Sequence, residues 1–269
     1  MRDSLSRRRF LTVGGLGAAS LFAWRASRVL AVQQPGSAGV ADPALIDDLV
    51  AGNHILAQEQ ILDAFGHISV RHPRGADRFF IARSVAPALV TAADIIEYDL
   101  DGNPVDARGR TSYRERFIHG EIYRARSDVN AVVHCHTASL LPFGVTRVPL
   151  RPVYHQSSFL AGGVPVFEIR EAGGMTDMLI GDAKLGRALA ATLAGKPMVL
   201  MRGHGAVIVG DSIPTVVGRS IYLDINAKAQ VQAMTLGGKI TYIDPEEARK
   251  YAAPNNYDRA WELWKRQVK

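Results

Sequence analysis

The hydrophobic positions of the first clear element follow a helical period. Asp42 can cap a helix N-terminus, and Pro43 then occupies the first helical position, where a missing N–H is tolerated. The apolar residues that follow recur at intervals of three and four, which is the spacing of one face of an amphipathic helix. This pattern predicts a helix over residues 43–63.

Short β-rich runs and further helical stretches alternate through the rest of the chain. Strands are predicted over residues 67–71, 78–82, 95–100, 130–136, 197–200 and 206–209. Helices are predicted over residues 113–126, 182–194 and 213–236. Strands and helices mixed around one core indicate a single α/β domain.

The N-terminus combines arginines with a short apolar stretch. The segment SRRRFL at residues 6–11 resembles the bacterial twin-arginine export signal, and residues 11–23 have the length of a signal-peptide apolar region. An uncleaved membrane anchor is the alternative, although this run is shorter than the roughly 18 residues that a spanning helix needs. We therefore expect export to the periplasm. The predicted organisation is a signal peptide over 1–31, a linker over 32–41, a domain over 42–240 and a C-terminal helical tail over 241–269, packed on the same domain.

The formal charge of +6 lies almost entirely in this leader. The first 31 residues hold six arginines and one aspartate, a net +5, which leaves +1 for the other 238 residues. A nearly neutral domain lacks the basic surface of a nucleic-acid-binding protein, so we expect no nucleic-acid partner. Contact with a membrane is expected only through the export machinery or an uncleaved leader. Cys135 is the only cysteine, which excludes a disulfide scaffold.

Three histidines and one glutamate are candidate metal-binding or catalytic residues. His134 and His136 lie two residues apart on a predicted strand, so both imidazoles face the same side of the sheet. His204 lies between two glycines, which allow a close backbone approach. Glu115 and His119 are four residues apart, on one face of a predicted helix. Two histidines on one face are half of a common metal site, although histidines in such places also serve in packing or in loops.

The order of these motifs resembles that of the class II aldolase/adducin family. The resemblance rests on Glu115 and the Ile-His pair that follows it, on SDVNAVVHCH over 127–136, on Gly-His-Gly over 203–205, and on GHISVR over 66–71. It extends from about residue 44 to residue 238. It implies a three-layer α/β/α fold around a central mixed, largely antiparallel sheet.

The same resemblance implies a catalytic divalent metal. His134, His136 and His204 would bind one ion per subunit, which is usually zinc in the aldolases. Three imidazoles also suit manganese, iron or cobalt. Glu115 would act as the catalytic acid or base, or as a fourth ligand when no substrate is bound. Family members commonly form homotetramers with sites where subunits meet.

Three positions depart from the sugar-phosphate aldolases of this family. Where those enzymes hold phosphate with small residues, this chain has the pairs GH, SV and YR at 66–67, 84–85 and 113–114. These larger side chains remove space and donors from a phosphate, whereas the guanidinium groups of Arg83 and Arg114 suit planar carboxylates. A small carboxylated substrate is therefore the expected partner. The predicted substrate-binding residues are His67, Arg83, Ser84 and Arg114.

The segment RPVYHQ at residues 151–156, together with GHISVR and SYRERFIHGEIY, resembles the decarboxylase branch of the family. Those enzymes act on hydroxy-carboxy-muconic semialdehydes and dihydroxyphthalates. The resemblance implies a metal-dependent lyase that releases CO₂ through a metal-stabilised enolate, with Tyr154 or His155 as a proton donor. Loop packing is the alternative for both residues. The alternative functions are an aldolase acting on a non-phosphorylated or carboxylated hydroxy-carbonyl compound, and a non-catalytic adducin-like binding module.

Overall fold

The computed structural model describes residues 35–252 and 257–268, which belong to one compact unit. The predicted export signal and residues 32–34 of the predicted linker lie outside the described residues. None of the helices in the described part of the chain has the length and hydropathy needed to span a bilayer.

Helices and strands alternate along the described residues. In chain order they are α1 (Pro43–Gln58), β1 (His67–His72), β2 (Gly75–Ala82), β3 (Ile95–Asp99), α2 (Arg116–Ala125), β4 (Ala131–Cys135), α3 (Leu141–Val145), β5 (Val166–Phe167), α4 (Ile169–Gly173), α5 (Ala183–Leu193), β6 (Met198–Met201), β7 (Gly205–Gly210), α6 (Ile213–Thr235), α7 (Pro245–Ala252) and α8 (Asp258–Gln267). Short 3₁₀ segments lie over Pro87–Leu89, Ala92–Asp94, Ala138–Leu140 and His155–Gly162.

The strands form one seven-stranded sheet with the order β3-β2-β1-β4-β7-β6-β5. Every neighbouring pair is antiparallel except β5 and β6, which are parallel. The predicted mixed, largely antiparallel sheet is therefore confirmed. The strands β1, β4 and β7 are neighbours at the centre of the sheet. Residues that are far apart in the chain therefore meet where these strands end.

Two buried apolar clusters cover the two faces of the sheet. One includes Leu49 of α1, Val217 of α6 and Trp261 of α8. The other includes Ile118 of α2 and Leu189 of α5. Burying the apolar stripe of a helix against each face of a sheet gives three layers. The predicted three-layer α/β/α architecture is confirmed.

The first helix ends five residues earlier than its pattern predicts. α1 stops at Gln58, and Gln60 adopts a left-handed backbone with φ of 59°. Asp63 lies beyond this turn, where its Oδ1 accepts hydrogen bonds from the backbone N–H groups of Phe65 and Gly66. The prediction of helix to residue 63 is wrong because the aspartate forms this turn instead of a last helical turn.

Candidate metal centre

Four side chains converge at the ends of the central strands. One ligand atom each from Glu115, His134, His136 and His204 lies within 4.8 Å of all the others. The Nε2 atom of His136 is 3.1 Å from Nε2 of His134 and 3.1 Å from Nε2 of His204. Imidazole nitrogens at about 2.05 Å from a tetrahedral zinc ion would be about 3.3 Å apart. The spacing and the nitrogen and oxygen donors therefore fit a single divalent cation.

The strands and one tight turn place the three imidazoles. His134 is in β4 and His136 directly follows it, so both face the same side, as their spacing predicts. His204 lies in the turn between β6 and β7, where Gly203 has φ of 65°. A Cβ atom on Gly205 would collide with the backbone carbonyl of Cys135. Glycine at this position therefore lets the turn approach β4 closely enough for the imidazoles to meet.

Each imidazole has an acceptor beside its other nitrogen. Nδ1 of His134 lies 3.2 Å from the carbonyl oxygen of Ala206, and Nδ1 of His204 lies 3.0 Å from that of Met178. Nδ1 of His136 lies 3.1 Å from a carboxylate oxygen of Asp63. An Nδ1–H that donates to these oxygens leaves the lone pair on Nε2, which is the atom that points to the centre.

Glu115 reaches the centre from the residue before α2 rather than from within it. It occupies the N-cap position, and its Oε1 accepts a hydrogen bond of 2.8 Å from the backbone N–H of Ile180. Its Oε2 lies 3.4 Å from Nε2 of His134 and 3.5 Å from Nε2 of His204. The prediction that Glu115 and His119 share a helical face is wrong, because helical geometry begins only at Arg116.

The surroundings favour an ionised Glu115 and disfavour a charged His136. Burial raises the pKa of Glu115, but its contacts with His134 and His204 lower the pKa by more, so the net pKa lies far below the usual range. Burial lowers the pKa of His136, and the nearby His134 lowers it further, while Asp63 opposes both effects. Metal ligands are needed in these protonation states, since a cation competes with protons for the same lone pairs.

A cavity of about 430 Å³ opens beside the four ligands. Its wall combines polar and apolar side chains. The lining residues are Phe65, His67, Ser84, Tyr113, Arg114, Glu115, His136, Met178, Leu179, Gly203 and His204. The predicted substrate-binding residues His67, Ser84 and Arg114 are thus brought to the metal ligands. Burial raises the pKa of Tyr113 to about 12, so its hydroxyl stays neutral.

The two candidate arginines occupy different places. Arg114 lies in the cavity wall, and its Nη2 is 2.6 Å from a carboxylate oxygen of Asp177. Arg83 is not among the lining residues, and its Nε donates 2.6 Å to Oδ1 of Asp94. A substrate-binding role for Arg83 therefore stays a prediction. Its side chain follows β2 and turns to the carboxylate that ends the 3₁₀ segment before β3 instead of turning to the cavity.

Tyr154 and His155 do not line this cavity. Tyr154 contacts the ring of Tyr222 in α6, and its backbone N–H donates to Asn226. His155 stacks edge-on against Tyr251 of α7. The segment that follows α3 packs along α6 of the same chain. Tyr154 and His155 therefore lie apart from the four candidate metal ligands. Their predicted role in proton transfer stays a prediction.

Several site residues were not predicted from the sequence. Asp63 supports His136, and the segment from Gly174 to Gly181 supplies the carbonyl of Met178 and the N–H of Ile180 to the metal centre. The Asp-Ala-Phe-Gly stretch at 63–66 and the glycines that flank the second segment are turn signals. Such signals indicate a loop but not which side chain the loop will meet.

Comparison with known proteins agrees with this fold. Residues 47–231 match the family model described as Class II Aldolase and Adducin N-terminal domain, and the chain belongs to this family. It is 38% identical over 244 residues to the decarboxylase tropJ of Talaromyces stipitatus, covering 81% of this chain and 92% of that protein. It is 29% identical over 201 residues to a 3,4-dihydroxyphthalate decarboxylase of Arthrobacter keyseri, covering 69% and 77% of the two proteins.

The fold is also shared with solved structures. The L-fuculose 1-phosphate aldolase from Glaciozyma antarctica PI12 superposes with a TM-score of 0.67 at 24% identity, over 84% of this chain and 86% of that one. Class II aldolases use a divalent metal, and the cluster of one glutamate and three histidines provides suitable donors.

Proposed function

We propose that this protein is a divalent-metal-dependent decarboxylase. Its substrate would be a hydroxy-carboxy muconic semialdehyde or an acid like dihydroxyphthalate. The observation that carries the proposal is the position of Arg114 in the wall of the cavity that Glu115, His136 and His204 of the ligand cluster also line. A guanidinium group binds a planar carboxylate with two parallel hydrogen bonds. The names of the two related decarboxylases support the same reaction.

In this mechanism, different residues of the chain bind the substrate and transfer the proton. Arg114 holds a substrate carboxylate, and the apolar side chains of Phe65, Met178 and Leu179 contact the carbon skeleton. Glu115 accepts a proton from the substrate hydroxyl as it ionises. Loss of CO₂ breaks a C–C bond and leaves its electron pair on carbon. Glu115 then returns the proton to that carbon, so the charge and atoms balance.

A bound cation supplies Lewis-acid stabilisation of the negative charge on the substrate oxygen. Zinc is our proposal for the ion, one per subunit, because three neutral imidazoles with an open position are the ligand set of many catalytic zinc sites. Manganese, iron and cobalt remain the alternatives.

Asp177 competes with the substrate carboxylate for the guanidinium group of Arg114. Its ion pair with Arg114 is solvent-exposed, with 60% of the arginine side chain and 51% of the aspartate side chain accessible. Exposed ion pairs of this kind contribute little free energy. A substrate carboxylate can therefore replace Asp177 on the guanidinium at small cost.

The proposal is tested by loading the purified protein with each candidate metal and screening hydroxy-carboxy aromatic and muconate acids for CO₂ release. We expect His136→Ala to lose both bound metal and CO₂ release. His54→Gln is the control, because His54 bonds the carbonyl of Val90 away from the cavity and glutamine can keep that bond. Metal and activity that survive in His136→Ala would refute the site.

The alternative functions give different products in the same assay. An aldolase acting on a non-phosphorylated or carboxylated compound releases an aldehyde and no CO₂. A non-catalytic module like adducin releases neither and stays folded without metal. Metal content, CO₂ and aldehyde measured on one preparation therefore separate the three functions.

We also propose export to the periplasm and a homotetramer with sites at subunit interfaces. The arginine-rich leader supports the first, and the family supports the second. A role for Tyr154 or His155 as proton donor requires a neighbouring subunit to bring them to the cavity. Cell fractionation with N-terminal sequencing tests export, and light scattering of the purified protein tests the tetramer. A cytoplasmic protein with an intact leader, or a monomer, would contradict these proposals.

A further inference from the structure

Four buried side chains form a hydrogen-bonded chain that starts at the cavity. His67 and Ser69 lie on one face of β1, and His119 and Tyr123 lie one turn apart on α2. Nδ1 of His67 is 2.7 Å from Nε2 of His119, and Nδ1 of His119 is 2.6 Å from Oγ of Ser69. Oγ of Ser69 is 2.7 Å from the hydroxyl of Tyr123. None of the four residues is more than 2% exposed. We call these four residues the His67 relay.

The last member of the relay determines the direction of every hydrogen bond. Among the described residues, the Tyr123 hydroxyl has Ser69 as its one hydrogen-bond partner. A buried O–H without an acceptor is costly, so Tyr123 donates to Ser69. Ser69 then donates its own hydrogen to Nδ1 of His119. His119 therefore carries its proton on Nε2 and donates it to Nδ1 of His67.

This direction leaves His67 with its proton on Nε2. Nδ1 of His67 is the acceptor from His119, so the imidazole proton must be on the other nitrogen. The ring of His67 lines the cavity, and among the described residues Nε2 has no hydrogen-bond partner. His67 also pairs directly with His134 across β1 and β4, which places its ring 5.2 Å from that of the metal ligand.

The apolar surroundings of the relay agree with neutral groups throughout. Phe79 packs against both His119 and Tyr123. Burial lowers the pKa of His119 to about 3 and lowers that of His67 well below its usual value. Burial raises the pKa of Tyr123, which therefore keeps the proton that it donates.

We propose that the His67 relay holds His67 as a neutral Nε2–H donor, and that this N–H stabilises the substrate oxygen on which negative charge develops. The inference rests on the proposed function for the identity of that oxygen. A neutral imidazole suits this task, because it can donate a strong hydrogen bond to an enolate-like oxygen without giving up its proton. His67 is then a catalytic residue, and Ser69, His119 and Tyr123 position it.

The tautomer can be measured without any activity. In the zinc-loaded full chain labelled with ¹⁵N-histidine, two-bond ¹H–¹⁵N correlation spectra distinguish Nε2–H from Nδ1–H imidazoles. The His67 signals are assigned by their disappearance in His67→Gln. We expect the neutral Nε2–H form from pH 6 to 8. An Nδ1–H tautomer or an imidazolium in this range would overturn the inference.

The function of the donor is tested by a pair of variants. His67→Gln keeps an N–H donor, whereas His67→Leu removes it at similar volume. The binding probe is 2,3-dihydroxybenzoate, which carries a negatively charged carboxylate beside a hydroxyl oxygen that gains negative charge when it ionises. We expect His67→Leu to bind it about tenfold or more weakly than the wild type, and His67→Gln to recover most of the affinity. Equal affinity in all three proteins would overturn the role of His67 as donor.

Catalysis gives a readout that separates this inference from the proposed function. In CO₂ release, His67→Leu should lower kcat by about 100-fold to 1000-fold with a smaller change in KM. His67→Gln should retain most of kcat. If no acid yields CO₂ with any protein, the proposed function fails, while the tautomer and the affinity for 2,3-dihydroxybenzoate still decide the inference. Zinc content and thermal unfolding of each variant show that the metal site and the fold are intact. If His67→Leu loses zinc or unfolds, the inference is judged from the tautomer of His67 in the wild type and from the affinity and kcat of His67→Gln.

Discussion

The carboxylate of Asp63 lies 3.1 Å from Nδ1 of His136, although 73 residues separate the two along the chain. The same carboxylate accepts two backbone hydrogen bonds within its own turn. Burial raises the pKa of Asp63, but these bonds and His136 outweigh it, so the group is ionised at neutral pH. Asp63 therefore fixes both the tautomer and the orientation of a metal ligand from outside the ligand set.

Replacing this carboxylate should weaken metal binding. Asp63→Asn can keep the turn, because an amide oxygen still accepts from the backbone, but it removes the negative charge beside His136. Outer partners of ligating histidines typically affect metal affinity by about 10-fold to 100-fold, and we expect the lower end of this range. Competition with a zinc chelator measures it. Asp106→Asn, in an exposed ion pair with Arg108, should bind zinc like the wild type. Equal affinity in both variants would show that Asp63 has no such role.

The exposed pair of Arg114 and Asp177 should control the affinity for carboxylated substrates. Asp177→Asn removes the competing carboxylate and should lower KM by about twofold to fivefold with kcat unchanged. Arg114→Leu should raise KM by at least tenfold, because a charged hydrogen-bond donor is lost from the cavity. Arg83→Leu is the matched control, since Arg83 binds Asp94 instead of lining the cavity. A larger KM effect in Arg83→Leu than in Arg114→Leu would contradict the assignment.

The buried histidines should make the fold less stable in mild acid. His119 has a pKa of about 3 in the folded chain, below the usual 6.5, because burial disfavours its charged form. The unfolded chain therefore binds more protons between these two values. The contribution to stability is complete above pH 6.5 and is lost progressively as the pH falls toward about 3. Each proton that the unfolded chain binds and the folded chain does not lowers the free energy of unfolding by about 1.4 kcal/mol for every unit by which the pH falls.

Urea unfolding of the apo protein between pH 7.5 and 5 measures this effect. We expect stability to fall with pH, and we expect His119→Gln to show a shallower dependence because one of the protonating groups is gone. His54→Gln, which replaces a half-buried histidine outside the His67 relay, is the control, and we expect a larger change of slope in His119→Gln than in this variant. A slope that is identical in His119→Gln and in the wild type would argue against this account.

The turn that carries His204 should not tolerate a side chain at Gly205. In Gly205→Ala the new Cβ would collide with the carbonyl of Cys135, so β7 or β4 must shift. Overpacking of this kind costs about 1–3 kcal/mol, and a displaced His204 should also weaken zinc binding. Gly195→Ala is the control, because no atom lies within 4 Å of the added carbon. Thermal unfolding and zinc titration of the two variants provide the comparison, and similar values would contradict the close approach.

Local patterns in the sequence determined much of the site. His134 and His136 face the same side because side chains alternate along any strand, whatever the rest of the fold does. The glycines around His204 indicated a close approach, which Gly205 makes against Cys135. The layered α/β architecture also follows from alternating periodicities and from the family's motifs. These features depend on neighbours in the chain, which a single sequence displays directly.

Only the tertiary structure decided which distant groups meet. Asp63 reaches His136 because α1 ends early and β1 lies beside β4. Glu115 reaches the centre because it precedes α2 instead of belonging to it, and Arg114 lines the cavity while Arg83 does not. Strand order and turn geometry fix such contacts, and both arise from the burial of two apolar clusters on opposite faces of one sheet. Since that burial sums over the whole domain, no local stretch of sequence contains it.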